Sequence, residues 1–326
     1  MDMNYCKRLI KSFTLVCLGL VAQTACNGES KPQATDEKKV PEVTQKSDAK
    51  AEEASEKRDL STSIDKPFEA LDISGPVPPE ISMVFFKVDG ALMPLACYNK
   101  AKNTIESRAS CLALIAKGSE VYLKSKFSAV LDKTGEPKNS LCEAGDEGSP
   151  KSLSTPRLDE QQAFDWSVWP KSSAQKVIEI GPESLSQPFL QKIGSDEIGE
   201  LQAAVKSISS AAEGKLELHQ FAELDIDGDK QAERFFSVFI VNPRDTARFL
   251  FSGLLVKFGA DAKKVVLVEK SQSGREVFTL KGAIDFNGDG TYELWTNAAF
   301  DEGGGDHIVG VKANSFKSLS PWTCGL

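Results

Sequence analysis

Two short acidic stretches carry the side chains best suited to chemistry. Asp225-Ile-Asp227-Gly228-Asp229-Lys230-Gln231-Ala232-Glu233 recurs sixty residues on as Asp285-Phe286-Asn287-Gly288-Asp289-Gly290-Thr291-Tyr292-Glu293. Oxygen side chains at relative positions 1, 3 and 5 converge when the chain curls tightly. Position 7 (Thr291 in the second loop) can lend a backbone carbonyl, and the acidic ninth residue closes the shell. Hard oxygen donors in that number suit Ca²⁺, which takes six to eight of them at ~2.3–2.6 Å, whereas Mg²⁺ demands a stricter octahedron and keeps more water. The first loop offers Asp225, Asp227, Asp229 and Glu233, and the second Asp285, Asp289 and Glu293 with neutral Asn287. Without a cation such crowding repels and raises the carboxyl pKa values. Two copies in matching register therefore predict two Ca²⁺ sites, structural in role.

The loops are not EF-hands. Position 12, which would have to be a bidentate Glu, falls on Phe236 and Thr296. The flanks read as strands: FFSVFIV follows the first loop and LWTNAAF the second. On these residues the region 220–313 resembles the calcium loops of FG-GAP/VCBS repeats, the integrin-α-like propeller blades of bacterial surface proteins. That resemblance implies a loop joining the last strand of one blade to the first of the next. Lys230 departs from it, standing where a glycine with left-handed backbone is wanted. Two copies are also fewer than the four to eight blades of a closed propeller.

Strands must position these loops. KLELHQFAEL, RFFSVFIV, RFLFSGLLVKF, KVVLVEK, REVFTLKGAI, ELWTNAAF and HIVGVKA succeed one another with short connections, an antiparallel meander. Before them, Ile198, Leu201, Val205 and Ile208 share one face of a helix over 195–212, and Gly214 closes it. Earlier still, ISMVFFKV and ALMPLACY flank Asp89-Gly90, a two-residue hairpin signal that asks for positive φ at both positions. CLALIA and EVYLKS around Lys117-Gly118-Ser119 predict a second hairpin, and KVIEI (176–180) another strand. Residues 132–160 read as a long loop, and the Trp166/Trp169 pair as core or lid. The expected fold is mainly β with one or two helices. Its antiparallel sheets are blade-like or sandwich-like, with a partial β-propeller as one arrangement. Gly181-Pro182 divides a disulfide-containing β region (67–181) from the region with the helix and both loops (182–326).

A further cluster, Asp301-Glu302-Gly303-Gly304-Gly305-Asp306-His307, invites a catalytic reading, with Asp301, Asp306 or His307 as general acid or base of a calcium-dependent envelope hydrolase. No GxSxG or GxxxxGK accompanies it, so a hairpin between two strands is the simpler expectation and the chain reads as non-enzymatic. The 326 residues contain two histidines, which excludes mechanisms needing several imidazoles. A net charge of −8 argues against a nucleic-acid partner, which selects for a clustered positive face.

The first 25 residues read as a signal peptide: Lys7, Arg8 and Lys11 precede an apolar run from Phe13 to Ala22 that is too short to span a bilayer. Thr24-Ala25-Cys26 resembles the lipobox of bacterial lipoproteins, implying cleavage before Cys26 and acylation of its thiol; ordinary secretion is the alternative. Residues 26–66 hold no aromatic side chain and interleave charges with Ala, Ser and Thr, the composition of a solvated tether. Seven cysteines less Cys6, Cys17 and Cys26 leave Cys97, Cys111, Cys142 and Cys324, an even set that allows three pairings in an exported chain. Cys97–Cys111 is favoured because the segment between them is polar, leaving Cys142 with Cys324. The expectation is a lipid-anchored cell-envelope protein, on the membrane through its lipid, whose calcium-stabilised β region is a binding or scaffold module for an unidentified protein or glycan.

Overall fold

Strands that are apolar at nearly every position cannot have a wet face, and in this protein they do not. The computed structural model describes residues 81–325, apart from 108, 113–114, 139–151, 161, 260–263, 302 and 313–314. The signal peptide, Cys26, the tether and Cys142 lie outside the described residues, as does the side chain of Cys324. No described helix is long and apolar enough to cross a membrane.

The chain is mainly β and antiparallel. A first sheet of eight strands comprises β1 (Ile81–Val88), β2 (Leu92–Asn99), β3 (Thr104–Ser107), β4 (Glu120–Lys124), β5 (Ala129–Lys133), β6 (Pro137–Lys138), β7 (Ser152–Leu153) and β8 (Trp166–Trp169). Then comes β9 (Val177–Glu179), and after it the helix Ser195–Ile208. A meander follows of β10 (Glu217–Leu224), β11 (Glu233–Val241), β12 (Phe249–Lys257) and β13 (Val265–Lys270). The last meander is β14 (Val277–Ile284), β15 (Glu293–Phe300), β16 (Gly303–Lys312) and β17 (Ser315–Gly325), with β9 added to its edge beside β14. Residues Ile73–Leu326 group as one unit, and β9 joins the last sheet from the N-terminal side of Gly181.

Alternation along the strands stacks these elements in layers. On β15, Leu294 and Ala298 pack with Phe235, Leu254 and Val256 of the β10–β13 sheet, while Trp295 packs with Phe85, Met93 and Leu95 of the first sheet. On β11, Phe235 faces the last sheet, but Phe236 and Val238 face Leu201 and Val205 of the helix. The order is thus first sheet, β14–β17 sheet, β10–β13 sheet, helix. The two meanders are buried on both faces, which explains runs such as FFSVFIV without polar alternation.

Some local expectations change. In the first hairpin Val88 pairs with Leu92, leaving three turn residues of which Gly90 alone has positive φ (65°). Among its described residues CLALIA supplies no strand: Ala109–Leu112 is a short helix, and β4 pairs with β5 and β8 instead. That helix carries Cys111 to Cys97 on β2, where the two form a disulfide with a Cα–Cα separation of 5.7 Å. Within 132–160, β7 and a short helix at Pro156–Asp159 replace part of the expected loop. Trp166 and Trp169 are buried core on β8.

Candidate metal centre

Each acidic stretch connects the first and second strands of its own meander, β10 to β11 and β14 to β15. This corrects the expectation that the loops bridge successive blades. Their internal geometry is the same. The position-1 carboxylate accepts two backbone N–H groups: Asp225 from Gly228 (2.8 Å) and Lys230 (2.9 Å), and Asp285 from Gly288 (2.6 Å) and Gly290 (3.3 Å). Position 3 accepts from position 5, and position 5 from position 7, in both copies. These bonds curl the chain around the position-1 carboxylate, both of whose oxygens they engage. Oxygens of Asp225, Asp227 and Asp229 all lie within 4.8 Å of one another.

Left-handed backbone makes the curl. Gly228 and Gly288 have φ of 77° and 79°, and position 6 has 69° at Lys230 and 86° at Gly290. The lysine therefore occupies a conformation that costs an L-residue roughly 1–2 kcal/mol. At Gly288 a Cβ would also lie 2.9 Å from the Lys176 ammonium, the end of a flexible side chain that would have to shift, so the positive φ is the main ground for glycine there.

The ninth position is the least ordinary. Glu233 is 2% exposed and accepts the Ile226 N–H at 2.9 Å. Burial pushes its carboxyl up, opposed by that N–H and reinforced by the charges of Asp227 and Asp229. Glu293 is 9% exposed, and its Oε2 has no hydrogen-bond partner among the described residues. Burial drives its carboxyl to about 7; the Phe286 N–H opposes this, while the charges of Asp289 and Asp285 add to it. A buried carboxylate oxygen without a described hydrogen-bond partner, raised further by the charges of two nearby carboxylates, is an arrangement that a divalent cation would relieve. Asp289 shifts the other way: burial would raise its carboxyl, but donation from Thr291 and Asn287 outweighs burial and lowers it. The chemistry of the donors fits Ca²⁺, with Asp285, Asn287, Asp289, the Thr291 carbonyl and Glu293 in one loop and Asp225, Asp227, Asp229 and Glu233 in the other.

Three features of the centre escape motif reading. Position 2 supplies the N–H for the ninth-position carboxylate while its side chain, Ile226 or Phe286, is fully buried core. Lys176 holds the second loop through its carbonyl, which accepts from Asp285 N at 3.0 Å. The loops also touch, through Tyr292 N donating to Ile226 O at 2.8 Å. The recurrence of an apolar residue between positions 1 and 3 is the one trace of this in the sequence.

The candidate acid–base residues are not brought together. Asp306 and His307 are successive residues of β16 and point to opposite faces. Buried Asp306 accepts from Trp295 Nε1 at 2.9 Å and pairs with Lys87 at 2.7 Å, on the first-sheet side. His307 Nδ1 lies 2.8 Å from Glu269 Oε1 on β13, on the other side. Asp301 is exposed in the β15–β16 turn, and the three glycines belong to β16, with Gly303 paired to Phe300. Compared with protein families, curated proteins and solved structures, the chain finds no significant match.

Proposed function

We propose that this is a non-enzymatic, lipid-anchored protein of the cell envelope whose β region is rigidified by two structural Ca²⁺ ions and serves as a binding or scaffold module. The observation that carries this reading is the nine-tenths-buried Glu293, whose Oε2 has no partner among the described residues, at the closing position of a loop whose hydrogen-bond pattern is duplicated sixty residues earlier. The lipobox-like Thr24-Ala25-Cys26 supports the anchor, and the charge-rich tether supports a globular part held off the lipid surface. The ions' role is to neutralise charge that the fold has already gathered. Calorimetric titration of the full chain with CaCl₂ tests this, alongside melting with and without chelator. Two bound ions are expected, each contributing about 2.7 kcal/mol of stabilisation at a free concentration one hundred times its Kd. Asp225→Ala and Asp285→Ala should each remove one ion. Melting that ignores millimolar Ca²⁺ would refute the reading, as would a mature envelope protein that still begins at Met1.

A further inference from the structure

The two loops are not independent. Tyr292 N–H, which donates to Ile226 O at 2.8 Å, belongs to the same peptide group as the Thr291 carbonyl. That carbonyl is the main-chain donor available to an ion in the second loop. On the receiving side, Ile226 O belongs to the peptide that continues into Asp227, and Ile226 N donates to Glu233 Oε2 at 2.9 Å. One hydrogen-bonded path thus runs from position 7 of the second loop to positions 3 and 9 of the first. Close packing reinforces it: a Cβ on Gly228 would sit 3.4 Å from Gly290 O, and Ile226 and Tyr292 share the core between the meanders. Glu293 Oε2, without a partner among the described residues, independently marks the second loop as wanting a ligand.

From this geometry we infer that the two Ca²⁺ sites bind with positive cooperativity, the second loop ordering the first through the Tyr292–Ile226 hydrogen bond. The inference rests on the calcium reading above. A cation on the Thr291 carbonyl polarises that peptide and strengthens donation by the Tyr292 N–H, since hydrogen bonds in a chain polarise one another. Fixing Ile226 in turn fixes the Asp227 peptide and the Glu233 carboxylate before the first loop receives its ion. The first loop has more to gain from such ordering because Lys230 holds an unfavourable backbone conformation there. Coupling between two sites must be reciprocal in free energy.

The test is Ca²⁺ titration of the full chain, followed by calorimetry and by the backbone amide resonances of Gly228 and Gly290, which report the loops separately. Disabling the second loop with Asp285→Ala should weaken the first at least about fivefold, and Asp225→Ala should weaken the second by the same factor. Asn287→Ala, which weakens the second loop without changing charge, should also weaken the first. Tyr292→Pro deletes the donating N–H and should abolish coupling, whereas Tyr292→Phe keeps it. If Tyr292→Pro does not fold, the Asn287→Ala comparison still decides. Two ions bound with each loop indifferent to the other's ligands would overturn the coupling and leave the calcium reading standing. Tighter binding by the first loop when the second is disabled would overturn it too, since repulsion between the ions would then dominate. An absence of Ca²⁺ binding would overturn both.

Discussion

At the residue scale, the side chains that join the two meanders show how much a buried polar group can do. Gln220, 2% exposed on β10, donates to Leu280 O at 2.9 Å and accepts from Leu280 N at 2.7 Å. Leu280 lies at the register shift of β14 against β15, so the glutamine amide substitutes for a strand partner there. Replacing it by alanine strands two buried peptide groups. Gln220→Ala should destabilise the protein by about 2–4 kcal/mol, read from urea unfolding, with Gln220→Glu no better because it lacks the donor. The neighbouring His219 lies 3.3 Å from Thr279 Oγ1 and is held neutral by burial, which lowers its pKa below the ordinary 6.5. A depressed histidine pKa means that, as pH falls below about 6.5, the unfolded chain takes up a proton that the folded one refuses. Stability from this group is complete above that pH and is lost on acidification toward the folded pKa. The drop in unfolding free energy between pH 7.5 and 5.5 should therefore be smaller in His219→Gln than in the parent chain. Nothing in the sequence around Gln220 marks it as a bridge, because its partner is a backbone group sixty residues away.

At the scale of elements, the acidic loops were legible because their chemistry is local: spacing alone sets which oxygens can meet. The long helix was legible for the same reason, with Leu201 and Val205 fully buried as its 3.6-residue periodicity requires. The short helix at Ala109–Leu112 was not. CLALIA is apolar enough for a strand, and what decides against it is the pairing of β4 with β8, a partner more than forty residues downstream. The loops' place within each meander was hidden likewise, since strand count between them is the same whether they lie inside or between sheets. Lys230 was legible as a misfit, and its φ of 69° makes it one. Glycine there would remove the left-handed strain but free the unfolded chain, leaving a net gain of about 0.5–1 kcal/mol. Lys230→Gly should accordingly raise the denaturation midpoint slightly and tighten Ca²⁺ binding by the first loop, without changing the second when each is titrated in the absence of the other. A lower midpoint would mean that Lys230 makes a compensating contact.

At the scale of the whole molecule, the layered order decides what can exist apart from what. Gly181-Pro182 looks like a boundary in the sequence, yet the β14–β17 sheet needs material from before it on two sides. Its edge is completed by β9, and its outer face, Ile284, Phe286, Trp295 and Ile308, is covered by Met83, Phe85, Met93, Leu95, Trp166 and Val168. Trp295 packs edge-on against Phe85 at 5.1 Å, and its indole N–H reaches an Asp306 that Lys87 of β1 neutralises. Uncovering four large apolar side chains at roughly 1.5–3 kcal/mol each forfeits about 6–12 kcal/mol, as much as a whole domain's usual margin of stability. The loss would reach the candidate metal centre directly, because Phe286 belongs to that uncovered face while its N–H holds the Glu293 carboxylate. A fragment spanning 182–326 should therefore fail to give a cooperative thermal transition, associate on size-exclusion chromatography, and bind Ca²⁺ at its second loop more weakly than the full chain. Adding Ca²⁺ should not rescue it, since two ions, at about 2.7 kcal/mol each when free Ca²⁺ is one hundred times Kd, return less free energy than the missing sheet supplied. A monomeric fragment that melts cooperatively near the temperature of the full chain would mean that the layers are separable, and that the first sheet rides on the others without holding them up.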